Sequence, residues 1–355
     1  MNIMVFNVPA ESVGALSVLN DFLCEVKMRE DEVKWFLVLS KPNLTESSNI
    51  QIIRFPWIKK SWGHRLFFDY VIAPKLIKKF NIDKIVSFQN ITIPLTSVPQ
   101  ILYMHNSLPF VEHKFSFLSN KRLWLYQNVM AKKIFKSIKK AKKTIVQSNW
   151  IKEVCLKRVK VPNEKLVVIP PDIKMDIKKY FSFNKKSSTT FFYPASEYEY
   201  KNHKLVIDAC IKLAEENIYD YKVVFTLKGD ENQHVLQLYE RVNHLNLPIK
   251  FIGRLSREEV FDYYSKSILI FPSYIETFGL PLLEAKLHNS IVFSSNCFFS
   301  KEVLLNYNNA YFFDPFNPME LMQLLKKMIL NEIPYLPIEE TDSQKKTTIV
   351  DVIFK

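Results

Sequence analysis

The sequence predicts an α/β protein built from two parallel-sheet domains, and three observations predict it. At 355 residues the chain is long for one ordinary core, and two domains of common size account for it. Short apolar runs alternate with helical segments along most of its length, the pattern of parallel strands with helices on both faces. The series breaks once, at a Lys-, Ser- and Asn-rich stretch over residues 173–188, and then starts again. The expected division is therefore a first domain over 1–172, a linker over 173–188, a second domain over 189–330 and a tail over 331–355.

Composition narrows the function classes. Hydrophobic residues make up 48% and charged residues 24%, the proportions of a soluble globular chain. No segment approaches the roughly 18 uncharged apolar residues that span a bilayer. The first residues lack the basic start and cleavage site of a signal peptide, so a cytoplasmic setting is expected. Cys24, Cys155, Cys210 and Cys297 lie far apart, at neither metal-ligand nor redox spacing, and read as reduced core thiols. The sequence offers no Asp-x-Asp or histidine cluster, and no metal or other cofactor is expected. The abundance of Lys, Asn, Ile and Phe has the bias of an AT-rich bacterial genome. Net charge is +13 and unevenly placed: residues 1–175 hold 28 Lys and Arg against 13 Asp and Glu, residues 176–355 hold 21 against 23. The first half thus points to an acidic partner, whether an anionic membrane, a phosphorylated substrate or nucleic acid.

In chain order, residues 2–8 read as a first strand, with Gly14 preceding an apolar-periodic helix from Ala15 to about Lys27. Strands follow at 35–39, 52–55, 84–88, 100–105, 144–147 and 166–169, with a helix over 66–80 among them. Ligands of open α/β sheets bind outside the carboxyl ends of the strands. That singles out His105 at the end of 100–105, and Gln89 and Asn90 after the strand before it. Residues 132–143 are expected on one helix, whose basic side gathers Lys132, Lys136, Lys139, Lys140 and Lys143. Trp57, Lys59, Lys60, Trp62 and Arg65, followed by Phe67 and Phe68, form a second basic and aromatic cluster. This mixture suits an anionic membrane interface. Nucleic acid would attract the same charge, but no nucleic-acid motif accompanies it; a solvated helix face is the plainer alternative.

The second series opens with a strand over 190–194. Lys201 follows it, just before a helix over 204–216, where an ammonium can balance a diphosphate. Strands at 221–227 and 249–252 flank a helix over 233–246; Gly253 and Arg254 follow the second, and Ser256 with Glu259 makes a capping box. An apolar strand over 267–271 then ends at Pro272-Ser273. The loop beyond it carries Glu276, Thr277, Phe278 and Gly279 and leads to Leu280-Pro281, which opens a helix. A helix start presents unpaired N–H groups and partial positive charge to phosphate oxygens, and Gly279 lets the backbone approach them. Glu284 lies about one turn inside. Carboxylates beside a phosphate seat suit hydroxyl groups, as on a ribose or hexose; taken singly, a solvated loop acid and a dipole-favoured helical acid are the plainer readings. Strands at 291–294 and 308–313, a helix over 318–330 and a candidate helix over 343–354 complete the chain.

Taken together, Pro272-Ser273, Glu276, Phe278-Gly279-Leu280-Pro281 and Glu284-Ala285 resemble the signature of the family 4 retaining glycosyltransferases. The resemblance implies the GT-B fold: two Rossmann-like domains facing a central cleft, the first for the acceptor and the second for the nucleotide sugar, with a closing helix that crosses back to the first. It implies transfer of a sugar from a nucleotide-diphosphate-sugar donor with retention of configuration and without a metal. In that picture Glu276, Lys201 and His105 are the catalytic group: Glu276 holds a sugar hydroxyl and His105 reaches the donor sugar. Glu284 takes the ribose hydroxyls, and the backbone of Phe278, Gly279 and Leu280, beside Thr277, takes the sugar or phosphates. Lys201-Asn202-His203 matches half of the family's basic pair, while Ser196 stands at the arginine position. Gly253 and Arg254 fall where the nucleobase is approached. Gly14 falls in the opening glycine-rich loop, with Val13 where a second glycine is usual. Combined with the basic first half, the resemblance implies bacterial O-antigen, capsule or exopolysaccharide synthesis on a glycan or polyprenyl-diphosphate-linked acceptor, at the inner face of the cell membrane. Two other readings stand beside it: a sugar-nucleotide 2-epimerase of the same fold, and a non-catalytic module for an anionic membrane.

Overall fold

The computed structural model describes residues 1–8, 13–29, 32–41, 44–118, 120–171, 177–337 and 347–355, with the backbone alone for 13–17. The chain divides into two compact units, Met1–Asp172 with Gln344–Lys355, and Ile173–Ser343.

The first unit runs β1 (Asn2–Phe6), α1 (Val13–Lys27), β2 (Lys34–Leu39), β3 (Ile50–Arg54), α2 (Trp62–Phe67), α3 (Ala73–Lys79), β4 (Lys84–Ser87), β5 (Gln100–Met104), α4 (Lys121–Leu125), α5 (Ala131–Lys140), β6 (Lys143–Val146), α6 (Asn149–Val159) and β7 (Leu166–Val168). Its strands form one parallel sheet in the order β3-β2-β1-β4-β5-β6-β7. Every residue of β5 is buried beneath helices on both faces, and its one amide, Gln100, is satisfied by the Ile93 N–H and carbonyl at 2.8 and 2.7 Å. The order reverses between β1 and β4, so the loops after those two strands diverge at the carboxyl edge, where a ligand fits.

Two helical stretches each carry an inserted π turn: Phe68–Ile72 joins α2 to α3, and Tyr126–Met130 joins α4 to α5. The lysine row of the second stretch stops at Lys140, since Ala141 turns to extended ψ and Lys143 opens β6; Lys143 therefore does not share the helix face expected of it.

The second unit runs α7 (Lys185–Ser188), β8 (Thr190–Tyr193), α8 (His203–Glu215), β9 (Lys222–Phe225), α9 (Gln233–His244), β10 (Ile249–Phe251), α10 (Arg257–Tyr264), β11 (Ile268–Phe271), α11 (Leu280–Leu287), β12 (Val292–Ser295), α12 (Phe298–Val303), β13 (Ala310–Phe313) and α13 (Pro318–Ile329). Its parallel sheet has the order β10-β9-β8-β11-β12-β13, with the reversal between β8 and β11. These are two Rossmann-like sheets, the α/β arrangement of the GT-B fold.

Residues 177–188 are not a free linker. Phe181 is buried and its N–H donates to the carbonyl of His288 at 2.7 Å, while Asn184 and Ser187 form a capping box that starts α7. The polar composition hides one apolar anchor. Residues past 330 also belong to this unit, with the Tyr335 hydroxyl donating to the Asn289 carbonyl at 3.1 Å.

The last element is α14 (Ile349–Phe354), started by a capping box between Thr348 and Asp351. Ile349, Val350, Val352 and Ile353 join the core cluster of the first unit around Trp35, Phe22 and Tyr103. The candidate helix over 343–354 thus shortens to six residues, and residues 338–346 lie outside the described ones. No helix among the described residues is long and apolar enough to cross a membrane.

Because Ile353 is only 1% exposed in that cluster, Ile353→Ala should cost ~2–5 kcal/mol in denaturant unfolding of the first unit. A loss below ~1 kcal/mol would show that α14 adds little to the core.

Candidate functional site

The site of the second unit starts from its strand order. Lys201 follows β8 and Glu276 follows β11, and these strands are neighbours at the reversal point, so two loops 75 residues apart meet at one edge. A 3₁₀ turn over Glu199–Lys201 and the left-handed Asn202 (φ 64°) bring the chain from β8 into α8. The Asn202 amide donates to the carbonyls of Pro272, at 3.3 Å, and Pro315, at 2.7 Å. The Tyr200 carbonyl accepts from the Tyr274 N–H at 3.2 Å and the Ser273 hydroxyl at 3.3 Å. Tyr193 donates its hydroxyl to the Lys201 carbonyl at 2.6 Å. Thus fastened, the loops hold Lys201 Nζ 2.5 Å from Glu276 Oε1, with both side chains less than a fifth exposed. Asn202, expected to bind the donor, spends its amide N–H groups on this fastening.

Gly279 is the N-cap of α11 at φ 92°, with Leu280 the first helical residue and Pro281 the second. A Cβ at Gly279 would stand 3.0 Å from Leu282 Cδ1 and 3.5 Å from Phe299 Cδ2, so backbone and space both demand glycine. In the first turn of α11 Pro281 has no N–H and those of Leu282 and Leu283 donate to the Gly279 carbonyl at 3.0 and 3.4 Å, which leaves the Leu280 N–H to face what lies before the helix. Phe278 is buried and Thr277 half-buried beside Glu276.

Glu284 sits one turn into α11 in different surroundings. Tyr264 donates its hydroxyl to Glu284 Oε2 at 3.1 Å, and an Arg257 guanidinium nitrogen is 3.9 Å from Oε1. Burial pushes the Glu284 carboxyl up to about 7, against the opposing pull of Tyr264 and Arg257. Burial also raises the Tyr264 phenol well above its ordinary range, so it stays a neutral donor.

Gly253 has φ 77° and its N–H donates to the Leu227 carbonyl at 2.9 Å, so that nitrogen is spent within the unit; Arg254 is exposed. Ser196 is exposed as well. Sequence reasoning missed Tyr264 and Arg257, whose approach to Glu284 comes from the packing of α10 on α11 and has no short-range signal.

In the first unit, His105 follows β5 and Asn90 follows β4. Asn90, at φ 61°, accepts the His105 backbone N–H through Oδ1 at 2.8 Å and faces His105 Nε2 with its amide nitrogen at 3.2 Å. An amide nitrogen only donates, so Nε2 accepts and the imidazole proton rests on Nδ1. Burial lowers the imidazole to about 4, which keeps it neutral at physiological pH. Gly14 lies inside α1, as its second residue, not in a loop before the helix.

The model of the Glycosyl transferases group 1 family matches residues 174–346, and that of Glycosyltransferase Family 4 matches residues 14–176. The chain belongs to the family 4, group 1 glycosyltransferases. It is 27% identical over 242 residues to the O-antigen chain mannosyltransferase RfbU of Salmonella typhimurium, a match over 67% of this chain and 64% of that protein. Among solved structures it resembles sucrose-phosphate synthase from Thermosynechococcus elongatus, with TM-score 0.70 and 15% identity over 93% of this chain and 90% of that one. It also resembles the Anabaena protein HepE in complex with UDP-glucose, with TM-score 0.63 and 14% identity over 94% and 90%. At these identities the structures speak for the fold.

Two outcomes test the geometry. Gly279→Ala combines a left-handed backbone with a close Leu282 contact and should destabilise the second unit by ~1–3 kcal/mol in thermal unfolding; an unchanged melting temperature would contradict the strain. Glu284 binds its proton more tightly folded than unfolded, so its contribution favours folding at low pH and is lost as pH rises from the ordinary carboxyl range through about 7. Glu284→Gln removes that titration. The variant should match wild type near pH 4 and exceed it near pH 8 by on the order of 3 kcal/mol, and an offset that is the same at both pH values would refute the shift.

Proposed function

We propose that the chain transfers a hexose, with retention of anomeric configuration, from a nucleotide-diphosphate sugar to a glycan or polyprenyl-diphosphate-linked glycan. The process is bacterial O-antigen, capsule or exopolysaccharide synthesis, at the cytoplasmic face of the cell membrane. The observation that carries this reading is the Lys201–Glu276 pair at the carboxyl edge of the second sheet, beside the start of α11. Before the donor arrives, each charge satisfies the other. A diphosphate then takes the ammonium, and a sugar hydroxyl takes the carboxylate.

As the bond from the anomeric carbon to the diphosphate breaks, negative charge grows on the leaving oxygens. Lys201 and the Leu280 N–H at the start of α11 stabilise that charge as it forms, the kind of contribution that is usually largest. The acceptor hydroxyl attacks from the same face, its proton passing to a donor phosphate oxygen, so no protein base is required. Glu284 accepts the ribose hydroxyls. Lys201 and the positive end of α11 supply the charge that a metal ion would otherwise bring. The mannosyltransferase relative and the UDP-glucose bound by HepE support a hexose donor and a nucleoside diphosphate carrier.

The test is a panel of UDP- and GDP-hexoses, scored for thermal stabilisation and turnover in the presence of a chelator. One donor should stabilise the protein and turn over at an undiminished rate. Glu284→Ala should lower donor affinity at least ~10-fold, as expected for lost hydrogen bonds to a charged group. Unchanged turnover in that variant would overturn the assignment of the site, loss of activity on chelation would overturn the metal-free reaction, and acceptor-free conversion of the donor into its C2 epimer would replace transfer by epimerisation.

A further inference from the structure

The two oxygens of the Glu284 carboxyl stand in unequal places. The side chain is 15% exposed, so one end of it meets solvent while the rest is enclosed. Behind it stands Tyr264, the last residue of α10 and 0% exposed, whose hydroxyl donates to Oε2 at 3.1 Å. Phe192 of β8 and His288 just past α11 pack on the Tyr264 ring, with centroids 5.9 and 5.5 Å away, and hold that hydroxyl in place. Oε1 has only Arg257 near it, at 3.9 Å and so beyond hydrogen-bond range. Arg257 is about half exposed and its guanidinium lies over the Phe261 ring, 5.2 Å from the centre. Oε1 is therefore the oxygen on the open side, with its lone pairs unused.

A glutamate has three side-chain torsions, and a carboxylate that nothing holds samples several rotamers. One bond from a buried phenol removes much of that freedom before a ligand arrives, which is the usual gain from preorganisation. The same bond directs the proton. Because Oε2 accepts from Tyr264, a proton on the neutral carboxyl sits on Oε1 and turns that oxygen from an acceptor into a donor. Burial favours the neutral carboxyl, and the Tyr264 hydroxyl opposes it by favouring the ionised form.

The elements packed against Glu284 bring few other titratable groups. On α11 itself Lys286 is held by the Val303 and Leu305 carbonyls. His288 gives its Nδ1 proton to the Glu284 carbonyl at 2.7 Å, and burial lowers its imidazole. The strands β11 and β12 bring only apolar and serine side chains, and α12 brings Lys301 and Glu302. Of all these groups, Tyr264 and Arg257 are the ones that act on the carboxyl.

We infer that Tyr264 is a positioning residue for the sugar-nucleotide donor: by holding Oε2 it presents Oε1 to the ribose hydroxyls as an acceptor. The inference rests on the reading of Glu284 as the ribose ligand, and Tyr264 itself acts only through Glu284. Its test is calorimetric affinity for UDP-glucose and GDP-mannose, whose diphosphates do not titrate between about pH 6 and 8.5, on wild type, Tyr264→Phe, Glu284→Gln and the double variant. Wild-type affinity should rise with pH through about 7, as Glu284 gives up the proton on Oε1. Glu284→Gln should bind ~10-fold more weakly near pH 8. Tyr264→Phe keeps the ring and its packing and loses only the hydroxyl. It should bind ~5- to 10-fold more weakly near pH 7, and the loss should shrink toward pH 8.5, because the carboxyl without its donor ionises later. In turnover the loss should fall on donor KM and not on kcat. With Glu284→Gln in place, affinity and any effect of the Tyr264 change on it should be independent of pH. An affinity and pH profile unchanged in Tyr264→Phe, where Glu284→Gln does weaken binding, would overturn the positioning role and leave the ribose reading standing. Wild-type affinity in Glu284→Gln would overturn both.

Discussion

The ion pair between Lys201 and Glu276 is the contact on which the second unit's site depends. Two charges held at low exposure are expensive to take out of water, and each is tolerable there because the other lies 2.5 Å away. Neither residue could arrive without the strand order. The sheet runs outward from β8 to β10, returns to place β11 against β8, and so sets both strand ends side by side. Asn202 then ties the β8 loop to Pro272 and Pro315, and Tyr200 ties it to Ser273 and Tyr274. Rigid fastening of this kind is what a preorganised site requires, since charges that must first be gathered contribute less to a transition state.

The two glutamates of the signature sit eight residues apart in sequence and in contrasting surroundings. Glu276 has an ammonium against it. Glu284 has a neutral phenol at 3.1 Å and a guanidinium only at 3.9 Å, and burial lifts its carboxyl. The strand-loop-helix turn accounts for the contrast: Glu276 lies at the sheet edge, whereas Glu284 is carried inside by α11 against Tyr264 of α10. The first unit repeats the same logic with neutral groups, where Asn90 after β4 fixes the tautomer of His105 after β5.

Much of the fold is legible in the sequence because parallel strands buried on both faces read as unbroken apolar runs. Ile268–Phe271 and Gln100–Met104 are found to within a residue, and the error falls on Ser267 and His105, polar residues that flank the apolar runs outside the ladder. The helix over 62–79 is recognised only from residue 66, because its opening turn, Trp62-Gly63-His64-Arg65, buries no side chain and so shows no amphipathic period. Residues 177–188 read as linker because their one buried anchor, Phe181, is outnumbered by polar residues. In the site, Glu276, Gly279 and Glu284 are legible since one contiguous stretch carries them. The pairing of Glu276 with Lys201 and the hydroxyl that Tyr264 brings to Glu284 are not, because both need the sheet and helix packing to exist first.

The most direct measurement is a double-mutant cycle on Lys201 and Glu276, reading nucleotide-diphosphate-sugar affinity and turnover for Lys201→Ala, Glu276→Ala and the double variant. Each single change strands a poorly hydrated charge and removes one contact to the donor, so the account predicts strong non-additivity, with the double variant no worse than about the sum of half the single losses. Strictly additive losses, or single variants that bind and turn over the donor as wild type does, would contradict it.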